Sequence, residues 1–243
     1  MLDLTPRQTK ILQAIVEEYV ASGIAVGSET IDKKYKLGVS PATVRNEMVK
    51  LIEMGYLKQP HTSAGRVPTT KAFRLYIGEI MKEKQLSVRE EVSIKQQLWD
   101  QRNDYERLMR HAVLLLADTT QLLSIAITGD DDVFYAGAAH ILDIPEFYDI
   151  DVTKTVLTLM DRHQALLTMF REATSNNPVK VMLGEELGLH YLEACGFVFT
   201  GYDAGKYGQG MIGIIGPSRL NYPYIVPLVR YYGTLVSEVG RNW

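Results

Sequence analysis

Hydrogen-bonding side chains recur at Ser40, Thr43, Arg45, Asn46 and Lys50. At helical spacing, Val44, Met48, Leu51 and Ile52 gather on the other side of the same segment. Such a helix buries one face and presents the polar set outward. Arg suits guanine and Asn suits adenine, each through two hydrogen bonds. Lys, Ser and Thr bond phosphate oxygens without reading sequence. Glu47 lies among them and is expected to pair with Lys50 or Lys10. Any solvated helix has a polar face, so this one alone is weak evidence. A second group follows it closely. His61, Thr62 and Ser63 sit in the small-residue loop 60–65, with Arg66 beside it. Arg66 can enter a minor groove or clamp a phosphate, and Thr62 and Ser63 can bond phosphate oxygens. His61 has no second His or Cys at metal spacing and reads as a polar loop residue.

The elements that must hold these residues are announced by local signals. Thr5-Pro6-Arg7-Gln8 is a capping box with proline at the first helical position. Ile11, Leu12, Ile15, Val16, Tyr19 and Val20 follow at helical spacing, and Gly23 ends the run. A second helix begins at Ser28. Leu37-Gly38-Val39 permits a sharp turn, and Ser40-Pro41 starts the third helix, which Gly55 closes. Helix, short glycine turn and helix make a helix-turn-helix candidate. Tyr56–Gln59 and Arg66–Pro68 read as the two strands of a hairpin. Three helices and such a wing predict a winged helix-turn-helix domain aimed at duplex DNA.

Charge supports the division of labour. The 243 residues carry a net charge of −3, but residues 1–85 hold 13 Lys+Arg against 9 Asp+Glu, and the remainder is acidic. Apolar residues make up 46% and charged residues 23%, which excludes disorder as the dominant state. The single cysteine, Cys195, excludes a disulfide framework and a cysteine-cluster zinc site. Residues 1–10 lack the apolar stretch of a secretory signal, and no run is long enough to span a bilayer, so the expected location is cytoplasmic, away from membranes.

A helix is expected from Thr69, and Ser87-Val88-Arg89-Glu90 is a second capping box that opens a long helix to about Ala117. Leu98, Tyr105 and Ala112 fall seven apart in it, which fits packing on a second subunit or on the chain's own sheet. Strands are expected at 121–127, 133–137, 179–183, 195–202 and 210–215. Helices are expected near 139–142, over 152–170 and over 222–239. Antiparallel strands flanked by helices give an α+β class. The expected organisation is a DNA-binding domain over 1–84, a long connecting helix over 85–118 and an antiparallel-sheet domain over 119–243. No catalytic constellation is visible: Gly208, Gly210, Gly213 and Gly216 lie inside a strand, Asp130–Asp132 form a turn, and His111, His140, His163 and His190 are scattered. No enzyme activity, cofactor or metal is expected.

Several stretches closely resemble the HrcA family of bacterial heat-inducible transcription repressors. They are Ala25–Ser28, Val39–Met48, Leu57–Thr69, Leu142–Phe147 and Ile212–Tyr222. The Gln-Pro-His-Thr-Ser-Ala-Gly-Arg segment at 59–66 is the most specific. The resemblance implies a dimeric repressor of chaperone operons that binds an inverted-repeat operator, loses activity on heat stress and is supported by the chaperonin GroEL. It implies DNA contact by Ser40, Thr43, Arg45, Asn46, Lys50, His61, Thr62, Ser63 and Arg66, and a GAF-like second domain for regulation and dimerisation. One feature departs. Family members usually carry a dimerisation subdomain inserted in the GAF-like domain, whereas Thr128-Gly129-Asp130-Asp131-Asp132 here is only a turn. The alternative is a small-molecule-gated regulator with Tyr202, Tyr207 or Met211 lining a pocket.

Overall fold

The computed structural model describes residues 3–172 and 177–241. The chain divides into two compact units between Lys82 and Glu83. In the first, α1 (Pro6–Ser22) begins at the expected capping box: the Thr5 hydroxyl accepts from Gln8 N–H, and the Gln8 side chain accepts from Thr5 N–H at 2.9 Å. Ile11, Leu12, Ile15 and Val16 are fully buried along it. The short α2 (Ser28–Tyr35) buries Ile31, and α3 (Pro41–Glu53) buries Val44, Met48 and Leu51. β1 (Leu57–Lys58) and β2 (Val67–Pro68) pair antiparallel. α4 (Thr70–Leu75) follows from a Thr69 cap and passes into a π-helical turn, Tyr76–Ile80.

The second unit is built on a five-stranded antiparallel sheet of order β4-β3-β7-β6-β5. Its strands are β3 (Leu123–Ile127), β4 (Val133–Ala136), β5 (Val179–Leu183), β6 (Cys195–Asp203) and β7 (Gln209–Pro217). Both faces of the centre are covered, so β3 is buried at all five positions. Alternate residues of a strand point to opposite faces. Leu123, Ile125, Phe197, Phe199 and Ile215 meet one cluster from α7 (Ile150–Asp161), α8 (His163–Glu172) and the 3-10 turns His140–Asp143 and Pro145–Phe147. α6 (Tyr105–Thr120) and α9 (Tyr222–Gly240) lie on the sheet, α6 against β3 and β4 and α9 against β6 and β7. α9 approaches β6 closely: a Cβ on Gly233 would stand 2.4 Å from the Thr200 methyl.

Two expectations are corrected. The long connecting helix over 85–118 is two helices, α5 (Val88–Trp99) and α6, separated by turns over 100–104. Asp104 caps α6 by accepting from Arg107 N–H, so the polar Asp-Gln-Arg-Asn-Asp segment stops one helix and starts the next. Of the heptad residues Leu98, Tyr105 and Ala112, Leu98 and Ala112 are fully buried and Tyr105 half-buried within this unit, where α5 packs on α6 and α9. The helix expected over 152–170 is likewise broken, at Arg162 between α7 and α8.

The segment that opens this unit is anchored by a helix irregularity. Pro227 lies inside α9 and has no N–H to give the carbonyl four residues earlier, which is that of Pro223. The Pro223 carbonyl instead accepts from Lys84 N–H at 2.8 Å. Beside it, Arg230 makes two hydrogen bonds of 2.7 Å to Glu83, and they hold the Glu83 carboxyl below its ordinary pKa. A second two-pronged pair joins Arg219, just beyond β7, to Glu146, with both side chains mostly buried. Arg219→Ala strands that carboxylate and is expected to cost about 3 kcal/mol in urea unfolding, whereas Arg219→Ala with Glu146→Ala costs less than Arg219→Ala alone.

Candidate nucleic-acid interface

The N-terminus of α3 is fixed by its own side chains. Ser40 is the cap: its hydroxyl accepts from Thr43 N–H at 3.2 Å and lies 3.0 Å from the Thr43 hydroxyl. Pro41 supplies the first helical residue. With Val44, Met48 and Leu51 turned inward, Arg45 and Asn46 are exposed on the outward side. Ala42 and Val49 share that side, and Val49 is 43% exposed. Neither was singled out from sequence, because neither carries a polar group. On a helix facing DNA they are still informative, since small apolar side chains contact the thymine methyl. Glu47 is buried and takes a hydrogen bond from Lys50 at 3.2 Å, so the Lys50 charge is partly matched within α3. Of the two partners expected for Glu47, Lys50 is the one found.

The hairpin loop is held by local bonds. The Gln59 side-chain amide donates to the carbonyls of Thr62, at 2.8 Å, and Ala64, at 3.2 Å. Ala64 N–H donates to the His61 carbonyl at 2.9 Å. These contacts leave the side chains of His61, Thr62 and Ser63 exposed at the tip. Arg66 is placed differently. It is half-buried, its Nη1 donates to the Ala64 carbonyl at 3.0 Å, and its backbone forms an antiparallel bridge to Val26 with both hydrogen bonds at 2.8 Å. Arg66 therefore flanks the tip and does not crown it. Its buried Nε lacks a hydrogen-bond partner among the described residues.

The bridge adds a third segment to the hairpin, one that local sequence signals do not reveal. It also explains Gly65: a Cβ there would lie 2.6 Å from the backbone of both Ala25 and Val26. Thr69 and Lys71 complete the support. The Thr69 hydroxyl donates to the Gly55 carbonyl at 2.8 Å and Lys71 Nζ to the Met54 carbonyl at 2.9 Å, joining the end of α3 to the start of α4.

Gly210, Gly213 and Gly216 lie within β7, not at a strand-to-helix turn. Thr128–Asp132 forms a self-contained turn, in which the Thr128 hydroxyl accepts from Asp132 N–H at 3.1 Å. Among the described residues, no group of three or more His, Cys, Asp and Glu is placed to hold a metal. Burial, with Glu146 and Glu193 nearby, pushes the Cys195 thiol up to about 12, where a thiolate is scarce. Tyr202 and Met211 do line a cleft of about 620 Å³ at the end of the sheet. The Tyr202 hydroxyl is engaged there, by Tyr105 at 3.1 Å and by the Ile127 carbonyl at 3.3 Å, while Tyr207 stacks on Tyr105. Among the described residues, no helix is long and apolar enough to cross a membrane.

A family profile described as HrcA protein C terminal domain matches residues 43–226. The chain belongs to the HrcA family. With that membership comes the function of a transcription repressor of heat-shock genes. The chain is 27% identical over 335 residues to the heat-inducible transcription repressor HrcA of Symbiobacterium thermophilum, covering 97% of this chain and 98% of that one. It is also 27% identical over 336 residues to the repressor of the same name from Carboxydothermus hydrogenoformans, covering 97% and 98%. Those aligned lengths exceed the 243 residues here, so both HrcA relatives carry residues with no counterpart in this chain. A crystal structure titled only as a hypothetical protein shares the fold, with a TM-score of 0.77 at 18% identity over 99% of this chain and 98% of that one.

Gly65→Ala tests the bridge. It forces a methyl into the backbone of 25–26 and is expected to destabilise the first unit by about 1–3 kcal/mol. Circular-dichroism melting should show the earlier loss of that unit, with the transition of residues 83–243 unchanged.

Proposed function

We propose that residues 1–84 are a winged helix-turn-helix DNA-binding domain and residues 119–243 a GAF-like domain for regulation and dimerisation, with 85–118 between them. The observation that carries this reading is the outward side of α3, where Arg45 and Asn46 are exposed next to a hairpin whose tip presents His61, Thr62 and Ser63. In this reading α3 enters the major groove, Arg45 and Asn46 read base edges, and Ser40, Thr43 and Lys50 meet the phosphate backbone. The wing brings His61, Thr62 and Ser63 to the backbone, and Arg66 approaches the minor groove from the flank. Two copies on an inverted repeat place two such helices one helical turn apart or a multiple of it.

Heat control follows from linkage. Whatever unfolds the second domain or separates the copies lowers the fraction able to bind, and apparent affinity falls by that fraction. A chaperonin of the GroEL type that refolds the chain restores the active population. A folded dimer that lost operator affinity on heating, with structure and assembly intact, would refute this mechanism.

Fluorescence anisotropy on an inverted-repeat duplex and a scrambled one, at several salt concentrations, tests the proposal. A preference for the repeat with a steep salt slope supports it, and equal weak binding sinks it. Arg45→Ala is expected to cost about 1–3 kcal/mol and to relax discrimination at one base pair. Lys50→Ala is expected to weaken binding to all sequences alike and to reduce the salt slope by about one.

A further inference from the structure

The exposed large apolar side chains of the second unit include two groups, on α5 and around the start of α7, and the first is built to meet itself. On α5, Val88, Val92 and Trp99 are 75%, 58% and 40% exposed. At 3.6 residues per turn these three fall within a sector of about 40°. Ile94 and Leu98, on the inner side of the same helix, are buried. Helix α5 is thus apolar on two sides, and only one is covered by the described residues. Between the outer side and the end of α9 runs a groove of about 980 Å³, lined by Val92, Lys95, Gln96, Trp99, Ser237 and Arg241. Large apolar side chains aligned along a groove mark an interaction surface.

We propose that the outer side of α5, with the adjoining end of α9, is the face on which a second copy of this chain docks through the same face. The inference rests on the reading of the chain as a repressor that binds an inverted repeat in two copies. Its own ground is charge. A two-fold interface is self-complementary: residue i meets j and j meets i. The rim carries both signs, with Lys95 and Arg241 against Glu238, and Glu91 lies one turn before Lys95 on α5; Lys95 and Glu238 lie 3.2 Å apart while half-exposed. Two antiparallel α5 helices crossing near Ser93 set Val88 opposite Trp99 of the second copy and Glu91 opposite Lys95. One crossing satisfies both the apolar stripe and the charges.

The other patch does not have this property. Leu142, Tyr148, Ile150 and Leu157 are exposed around the start of α7. Their neighbours Asp143, Asp149, Asp151 and Asp161 are acidic, with Lys154 among them. A two-fold there sets acid against acid, which disfavours self-association.

Light scattering on the full chain at tens of micromolar tests the proposal, with Val92→Glu, Trp99→Glu and, as the contrast, Ile150→Glu. The expected result is a dimeric mass for the wild type and for Ile150→Glu. The mass should halve for Val92→Glu and Trp99→Glu, with the wild-type far-ultraviolet circular dichroism retained, so that the loss is of assembly and not of fold. Anisotropy on the same samples should show Val92→Glu retaining weak binding to a half-site duplex while its affinity for the full repeat falls roughly hundredfold. A monomeric wild type overturns the proposal. So does a dimer that survives both α5 substitutions, or one that dissociates with Ile150→Glu instead. A dimer that Val92→Glu dissociates but that binds no DNA upholds the α5 interface and refutes the DNA-binding reading, so the two fail separately.

Discussion

The burial of Val44, Met48 and Leu51 fixes the rotation of α3 about its own axis, and the rest of the candidate interface depends on that rotation. A helix free to roll would present no defined set of side chains. With these three held inside a unit that also buries Ile11, Leu12, Ile15 and Ile31, Arg45 and Asn46 have only one direction left. The hairpin then needs a fixed position next to α3. Thr69 and Lys71 tie its base to the end of α3, and the Val26–Arg66 bridge ties its returning strand to the start of α2. Gly65 is the small residue that lets those backbones come so close.

The second unit solves a different problem. Its central strands need cover on both faces, and the helices that supply it come from opposite ends of the segment. α6 precedes the sheet and α9 follows it, while α7 and α8 lie on the other face. The hydrogen-bonding capacity of this unit is spent largely on itself. The tyrosine hydroxyl in the cleft is bonded, the acidic turn is closed by Thr128, and the one thiol is buried.

What the sequence made legible follows the range of the signal. Caps at Thr5, Ser40 and Ser87 were readable because each depends on residues three or four apart. The strands and the β3–β4 and β6–β7 hairpins were readable from apolar runs and turns, whereas the β3–β7 and β5–β6 pairings join segments too far apart to leave a local signal. The break between α5 and α6 was not, because apolar spacing continues across 100–104 and obscures the polar interruption. Nor was the inward direction of the Leu98–Ala112 spacing, since a heptad looks the same whether it meets a partner or its own sheet. The bridge from Val26 to Arg66 spans forty residues and leaves no local trace. Val49 and Ala42 carry no polar group, so hydrogen-bonding chemistry in the sequence does not mark them as part of the outward side of α3.

The strand order also sets a timetable for synthesis. β3 pairs with β7, and Lys84 N–H donates to the Pro223 carbonyl in the helix that follows β7. At ribosomal rates of about 5–20 residues per second, residues 83–240 take roughly 8–30 s to emerge. The first unit is complete and can fold during that time. The second cannot close until its last two elements are out, and an emerging β3 exposes apolar side chains on both faces. Each newly made chain therefore passes through a stage with a finished N-terminal unit and an open, sticky sheet.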